Sequence, residues 1–337
     1  METSLHICMS VLAIISTLIG VQGIGVNYGT VGNNLPPPTQ AVQLIKTKGF
    51  TAVRLFEPNA DILKALEGSQ LKVVLGTLNQ DLEKLATDPA FAATWVNDHI
   101  VPHANLVQFQ YISVGNEVIP GDLSVHILPA IKNLEAALTA VNVPVPVSTS
   151  VATYVLGASF PPSQGAFTDK AAAVLAPIAA HLEAQKTPLL ANIYTYFAYS
   201  GDPKNIQLDY AMLNGTKEVV RDGNLSYVNL LDAIIDAFYW ALERVGAPSV
   251  DVVLTESGWP SAGGGDGVAT IELEETYNNN LVRHVASGGG TPKRPGKAVE
   301  TYIFALFNEN QKKPGTEQNY GLFYPNLQEV YPLNLSP

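Results

Sequence analysis

An α/β fold of the (β/α)8 TIM-barrel class is what this sequence predicts, and three observations carry it. Eight strand-like runs are near-continuous in Val, Ile, Leu, Phe and Tyr, the pattern of parallel strands buried on both faces. Seven helix-like stretches lie between them. The turn after the first strand, Gly29-Thr30-Val31-Gly32-Asn33-Asn34, runs into three prolines, Pro36 to Pro38. It offers no phosphate cradle, which counts against the alternative of a doubly wound open sheet.

The expected strands are Ile24–Tyr28, Ala52–Phe56, Leu71–Gly76, Tyr111–Gly115, Val145–Thr149, Leu189–Tyr194, Val250–Thr255 and Glu300–Phe307. The expected helices are Thr39–Lys48, Asn59–Leu66, Asp88–His103, Leu123–Val141, Asp169–Gln185, Tyr227–Val245 and Thr270–Ala286. Asp122 and Ser226 read as N-caps, because their side chains can accept from the first free helical N–H groups; Gly246 reads as a C-cap. The longest interval between strands, about 197–249, exceeds what one helix needs and carries the turns Gly201-Asp202-Pro203 and Asn214-Gly215. A small subdomain inserted there, between the sixth and seventh strands, is the expectation. Residues 24–337 otherwise read as one domain.

The chain has 337 residues, 47% of them apolar, and a formal net charge of -11. It is long enough for a large core. It has no Lys/Arg block, so nucleic acid is a poor partner. Leu5 to Gly20 is mostly apolar and Val21-Gln22-Gly23 supplies small residues, so residues 1–23 read as a secretory signal rather than a membrane anchor. Cys8, the one cysteine, falls in that signal, leaving a secreted chain without disulfides that must rely on its core. Pro325 to Pro337 has no hydrophobic tail for a lipid anchor. Sequons stand at Asn214, Asn224 and Asn334. A monomer is expected.

Two strings carry the chemistry. Val114-Gly115-Asn116-Glu117 closes the fourth strand and Leu254-Thr255-Glu256-Ser257-Gly258-Trp259-Pro260 the seventh. These strands stand on opposite sides of a barrel mouth, so their carboxylates can face each other across a groove. One acid and one nucleophile or base is the minimum machinery for cleaving a glycosidic bond, and Asn116 is placed to bond a sugar 2-hydroxyl. Glu309, Lys312 and Glu317 follow the eighth strand, where Lys312 can hold a carboxylate ionised. Aromatics gather at strand ends: Tyr28, Tyr194, Phe197, Trp259 and Phe307 are candidate sugar platforms, and Phe56, Tyr196 and Tyr199 stand in the same places. For the ionised nucleophile, Lys312 and Tyr28 are the candidate partners. Other chemistries lack support. His99 and His103 are interrupted by Pro102 and lack the accompanying Glu; Gly290 to Lys297 has the wrong spacing for a phosphate loop; no Gly-x-Ser-x-Gly occurs. No metal or cofactor is expected.

These strings together resemble the plant endo-1,3-β-glucanases of glycoside hydrolase family seventeen. Matching segments are Ile24-Gly25-Val26-Asn27-Tyr28-Gly29, Gly32-Asn33-Asn34-Leu35-Pro36, Val114 to Val118, Phe197 to Pro203, Thr255 to Ser261 and Phe307 to Lys312. The resemblance implies a barrel with a long open groove and endo-hydrolysis of β-1,3-glucan such as callose, laminarin or fungal wall glucan, with retention. It assigns Glu256 as nucleophile, Glu117 as acid/base, and Glu309, Lys312 and Glu317 as an accessory polar network. No clear C-terminal targeting extension follows the last barrel motif, so the apoplast or cell wall is expected rather than the vacuole. The sequence departs from the family at Asn27, often Cys, and at Arg54-Leu55-Phe56-Glu57-Pro58, usually Arg-Ile-Tyr-Asp-Pro. These departures leave the catalytic pair untouched and bear on substrate preference, so a mixed-linkage 1,3;1,4-β-glucanase is one alternative; a catalytically weak glucan-binding protein on the same scaffold is a separate one.

Overall fold

The structure, a computed structural model, describes residues 23–265 and 267–335. The expected signal peptide and Cys8 lie outside the described residues, apart from Gly23. Eight parallel strands close into a barrel: β1 Gly25–Asn27, β2 Ala52–Leu55, β3 Lys72–Gly76, β4 Gln108–Asn116, β5 Val147–Ala152, β6 Leu189–Asn192, β7 Val252–Ser257 and β8 Thr301–Ile303. Each strand pairs in parallel with the next, and β1 pairs with β8 to complete the ring.

Ten helices accompany them among the described residues: α1 Pro38–Lys48, α2 Ala60–Leu66, α3 Leu82–Thr87, α4 Pro89–His99, α5 Ile127–Ala140, α6 Asp169–Gln185, α7 Thr195–Gly201, α8 Leu208–Ala211, α9 Leu230–Arg244 and α10 Ile271–Ala286. Their inner faces and the outward residues of the strands make one continuous core, which includes Val53, Val73, Ile112, Leu134 and Leu281. A separate cluster takes one residue from each of six strands: Ala52, Val74, Tyr111, Leu190, Val253 and Tyr302. It fills the barrel's interior as a layer of side chains, so the barrel is packed rather than open.

Several local expectations need correction. Asp122 does not cap a helix; it begins a 3-10 turn, Asp122–His126, that precedes α5 and has no side-chain cap bond. Ser226 lies in a small antiparallel hairpin, Val220–Asp222 with Leu225–Tyr227, and α9 is capped instead by Asn229, whose side chain accepts from the Asp232 N–H at 2.8 Å. Gly246 does end α9: its φ is +87°, where a side chain would be strained, and its N–H reaches the Glu243 carbonyl at 3.0 Å. Helix α3 was not expected. The interval between β6 and β7 holds α7, α8, the hairpin and α9, and Tyr210, Tyr227 and Ala233 pack there as their own small cluster.

Candidate active site

Side chains two apart on a strand share a face. Arg54 therefore follows Ala52 inward, and Asn192 follows Leu190, each one layer nearer the C-terminal mouth. Unbroken alternation would leave Glu256 on the opposite face from Val253. The register of β7 shifts between Leu254 and Glu256 against β6, and between Leu254 and Ser257 against β8. Such an irregularity re-aims a side chain, and here it delivers Glu256 to the mouth. Strand β4 shifts likewise between Ser113 and Asn116 against β5.

Glu117 sits at φ +55°, a left-handed conformation that costs a non-glycine residue about 1–3 kcal/mol. The surroundings hold it there. Its N–H donates to the Ser150 carbonyl at 2.9 Å, and its carbonyl accepts from the Tyr154 hydroxyl. Asn79 clamps the preceding residue: its amide donates to the Asn116 carbonyl at 3.0 Å and accepts from the Asn116 N–H at 2.8 Å.

Arg54, only 1% exposed, lies beneath the site. Its Nη1 donates to Glu256 Oε1 at 2.7 Å and to Asn192 Oδ1 at 3.1 Å; its Nη2 donates to Asn116 Oδ1 at 2.7 Å and Ser150 Oγ at 3.1 Å. The guanidinium thus balances the buried Glu256 charge and fixes Asn116 at the same time. The second Glu256 oxygen, Oε2, accepts from the Tyr194 hydroxyl at 2.6 Å. Burial, then Glu256, pushes the Tyr194 phenol well above its ordinary range, so it remains a donor.

The two carboxylates meet at one amide. Asn192 Nδ2 lies 2.8 Å from Glu117 Oε1 and 2.9 Å from Glu256 Oε1. Those oxygens can be no further apart than the two bonds laid end to end. That is short of the ~6.5–9.5 Å an inverting pair leaves for water, and compatible with the ~5–5.5 Å of a retaining pair. Burial, then the charge of Glu256, raises the Glu117 carboxyl above the usual range; Asn192 and Arg54 oppose the shift, and Glu317 adds to it. A raised carboxyl beside a charge-balanced one is the division of labour an acid and a nucleophile need.

A cleft of about 650 Å³ opens above the pair. Phe56, Tyr194, Phe197, Phe304 and Tyr320 form one aromatic wall, and Tyr154 stands beside Glu117. Tyr194 contacts Phe197, Phe304 and Tyr320 edge-on at 5.6, 5.9 and 5.6 Å between centroids. Phe197 is 50% exposed, so its ring face is open to a ligand. Glu309, Lys312 and Glu317 also line the cleft. Lys312 Nζ pairs with Glu309 Oε2 at 2.9 Å and lies 4.3 Å from the Phe304 ring centroid, while Glu309 Oε1 accepts from the Val31 N–H at 2.7 Å. A Cβ at Gly29 would stand 2.4 Å from that carboxylate, which is why glycine is needed there.

The sequence's candidates therefore divide. Asn116, Glu117, Tyr194, Phe197, Glu256, Glu309, Lys312 and Glu317 come together at the cleft. Trp259 does not: it is fully buried, its Nε1 donates to the Val268 carbonyl at 2.6 Å, and it packs on Tyr196, Tyr199 and Tyr277. Tyr28 and Phe307 are both 3% exposed and pack edge-on at 6.1 Å. None of the three presents a face to a sugar. Tyr28 and Lys312 are also not the partners of Glu256; Arg54, Asn192 and Tyr194 are. The sequence did hold a signal for Arg54 and Asn192, as isolated polar residues inside apolar strand runs that no solvent can satisfy.

Facing carboxylates on β4 and β7 of a (β/α)8 barrel, beneath an aromatic-walled groove, define a glycoside hydrolase site. Comparison with known proteins specifies which kind. The model for glycosyl hydrolases family 17 matches residues 24–335, and the chain belongs to that family. It is 46% identical over 331 residues to a glucan endo-1,3-beta-glucosidase of Vitis vinifera, covering 96% of this chain and 95% of that one. It is 46% identical over 315 residues to Lichenase-2 of Hordeum vulgare, covering 93% and 99%. Among solved structures, CJP38, a beta-1,3-glucanase and allergen of Cryptomeria japonica pollen, superposes with a TM-score of 0.90 at 47% identity, covering 93% of this chain and 99% of that one.

Proposed function

We propose that this chain is an endo-acting β-1,3-glucan hydrolase that works with retention, Glu256 as nucleophile and Glu117 as acid/base. The observation that carries the mechanism is the single Asn192 amide in contact with both carboxylates. In this reading Glu117 protonates the leaving oxygen while Glu256 attacks the anomeric carbon. Glu117 then takes a proton from the water that releases the glucan. Asn116, held by Arg54 and Asn79, meets the 2-hydroxyl, and Phe197 stacks an apolar sugar face. The β-1,3 preference is supported by the relatives named for that activity.

The relative named Lichenase-2 supports a second reading, mixed-linkage 1,3;1,4-β-glucan, at equal identity to the Vitis relative. Reducing-sugar release from laminarin and from barley β-glucan separates the two. Faster laminarin hydrolysis is expected. Cleavage confined to the mixed-linkage polymer would overturn the preference, and binding without release from either would overturn the enzyme reading. NMR of the first-formed product should show the β-anomer; the α-anomer would sink retention. EDTA should leave the rate unchanged, since the step needs two carboxyls and no Lewis acid. The protein is further proposed to be secreted after loss of residues 1–23, to act as a monomer in the apoplast or cell wall, and to carry glycan at Asn224. That asparagine is exposed at the tip of the hairpin.

A further inference from the structure

Asn192 does more than fill space between the carboxylates. Its orientation is fixed from behind: Oδ1 accepts from Arg54 Nη1 at 3.1 Å and from Thr255 Oγ1 at 3.0 Å. Turning the amide over would set its carbonyl against two carboxylates and its NH2 against a guanidinium, so only one orientation is electrostatically allowed. The NH2 group is therefore presented to the mouth, within 2.8–3.1 Å of Glu117 Oε1, Glu256 Oε1 and Asn116 Oδ1. An NH2 has two hydrogens and faces three acceptors. The same amide contacts the acid, the nucleophile and the residue assigned to the sugar 2-hydroxyl.

Glu117 Oε2 accepts no hydrogen bond from another described residue. With Oε1 held as an acceptor, the acidic proton is directed to Oε2. We propose that Asn192 is a positioning residue that sets the spacing of the two carboxylates and confines the transferable proton of Glu117 to Oε2. The proposal rests on the retaining reading given above, with Glu117 as acid/base. In the first step the proton on Oε2 passes to the leaving glycosidic oxygen as the C–O bond breaks and Glu256 bonds to the anomeric carbon. Asn192 itself exchanges no proton. It donates continuously, and its bond to Oε1 becomes charge-assisted as Glu117 ionises.

The test compares the parent with Asn192→Ala and the isosteric Asn192→Asp, each verified as folded by far-UV circular dichroism. Initial rates are taken on laminarin across pH. Removing the amide donor disfavours ionised Glu117 in the first variant, and a carboxyl in its place disfavours it further in the second. In both, the alkaline limb of kcat/KM should move up by about one pH unit. The rate constant kcat should fall by about a hundredfold or more, with KM changed less than about threefold, because the lost contacts act on the reacting groups. A limb that stays in place in both variants, or kcat within about threefold of the parent, overturns the role of Asn192. Isosteric Asn192→Asp keeps Oδ1 for Arg54 and Thr255, so it remains informative if the alanine variant is unstable. If the parent itself inverts, or releases no sugar from laminarin, the underlying functional reading fails instead.

Discussion

Replacing Arg54 by Met tests whether the buried ion pair or the hydrogen-bond network holds the mouth of the barrel together. The side chains of Arg54 and Glu256 are 1% and 7% exposed and 2.7 Å apart. Water cannot take over either charge. Breaking such a pair on one side costs about 3–5 kcal/mol, mostly because the other charge is left buried and unbalanced. At roughly 2 °C per kcal/mol for a domain of this size, the Arg54→Met midpoint should fall by about 6–10 °C. Arg54 also bonds Asn116, Ser150 and Asn192, so the single variant alone does not isolate the ion pair. A double-mutant cycle with Glu256→Gln does. The losses at Asn116 and Ser150 occur in both backgrounds and cancel, whereas the unbalanced carboxylate occurs only where Glu256 is intact. Thermal unfolding by calorimetry should give a coupling of about 2 kcal/mol or more. Additive effects within about 0.5 kcal/mol would refute the argument and assign the cost to the network alone.

Four further outcomes follow from the same geometry. Glu256→Gln should abolish turnover of every substrate, whereas Glu117→Gln should spare glycosylation by an aryl glycoside with a good leaving group; azide should rescue Glu117→Ala as the β-glycosyl azide and Glu256→Ala, if at all, as the α-azide, and the swapped pattern, β-azide from Glu256→Ala and α-azide from Glu117→Ala, would reverse the two roles. Glu317 raises the Glu117 carboxyl by like charge, so Glu317→Gln should lower that pKa and move the alkaline limb of kcat/KM down; an upward shift would contradict it. Phe197→Ala should raise KM for laminarin with little change in midpoint, and Trp259→Ala should lower the midpoint by several degrees through a cavity of about 3–5 kcal/mol; a KM effect for Trp259 without loss of stability would restore it as a sugar platform. Burial holds the Glu274 carboxyl on α10 well above the usual range, so the folded state keeps a proton that the unfolded chain loses near pH ~4.5. Stability therefore declines as pH rises from that point to the folded pKa. Glu274→Gln should gain on the parent over this window in urea unfolding, and an equal pH slope in both would count against it.

The barrel was legible because its signal is long-range and redundant. Eight apolar runs separated by amphipathic stretches have few ways to bury both strand faces, and small errors at each end do not alter the result. The errors themselves have local causes. Val145–Thr149 was expected as a strand, but the observed β5 is Val147–Ala152, because Ser148, Thr149 and Ser150 bury their hydroxyls in hydrogen bonds to Pro188 O, Val114 O and Ser113 Oγ. Polar composition ended the expected strand early; tertiary partners carried it on. Ser226 lost the cap of α9 to Asn229 because a hairpin occupies the residues before it, and nothing local distinguishes the two.

The site shows the opposite balance. Glu117 and Glu256 were identifiable as a pair: one strand-end carboxylate alone reads as a loop charge, but two at the ends of strands on opposite sides of the barrel, one preceded by Asn116 and the other followed by Trp259-Pro260, do not. Aromatic residues carry no such information, since burial and sugar stacking favour the same rings. Trp259, close behind Glu256 in the sequence, proved to be a packing residue, while Phe304 and Tyr320, from the segment that follows β8, line the cleft. Adjacency in sequence decided nothing; the face of the element decided it. Arg54 and Asn192 argue the same point from the polar side. Each is one polar residue in an apolar strand, and a buried guanidinium or amide is tolerated only with partners. Their partners here are the two carboxylates, from strands far away in the chain. Asking which acids could satisfy an arginine buried in β2 and an asparagine at the end of β6 leads to Glu256 and Glu117. The buried polar residues that cannot be explained locally thus point to the chemistry as directly as the catalytic motifs do.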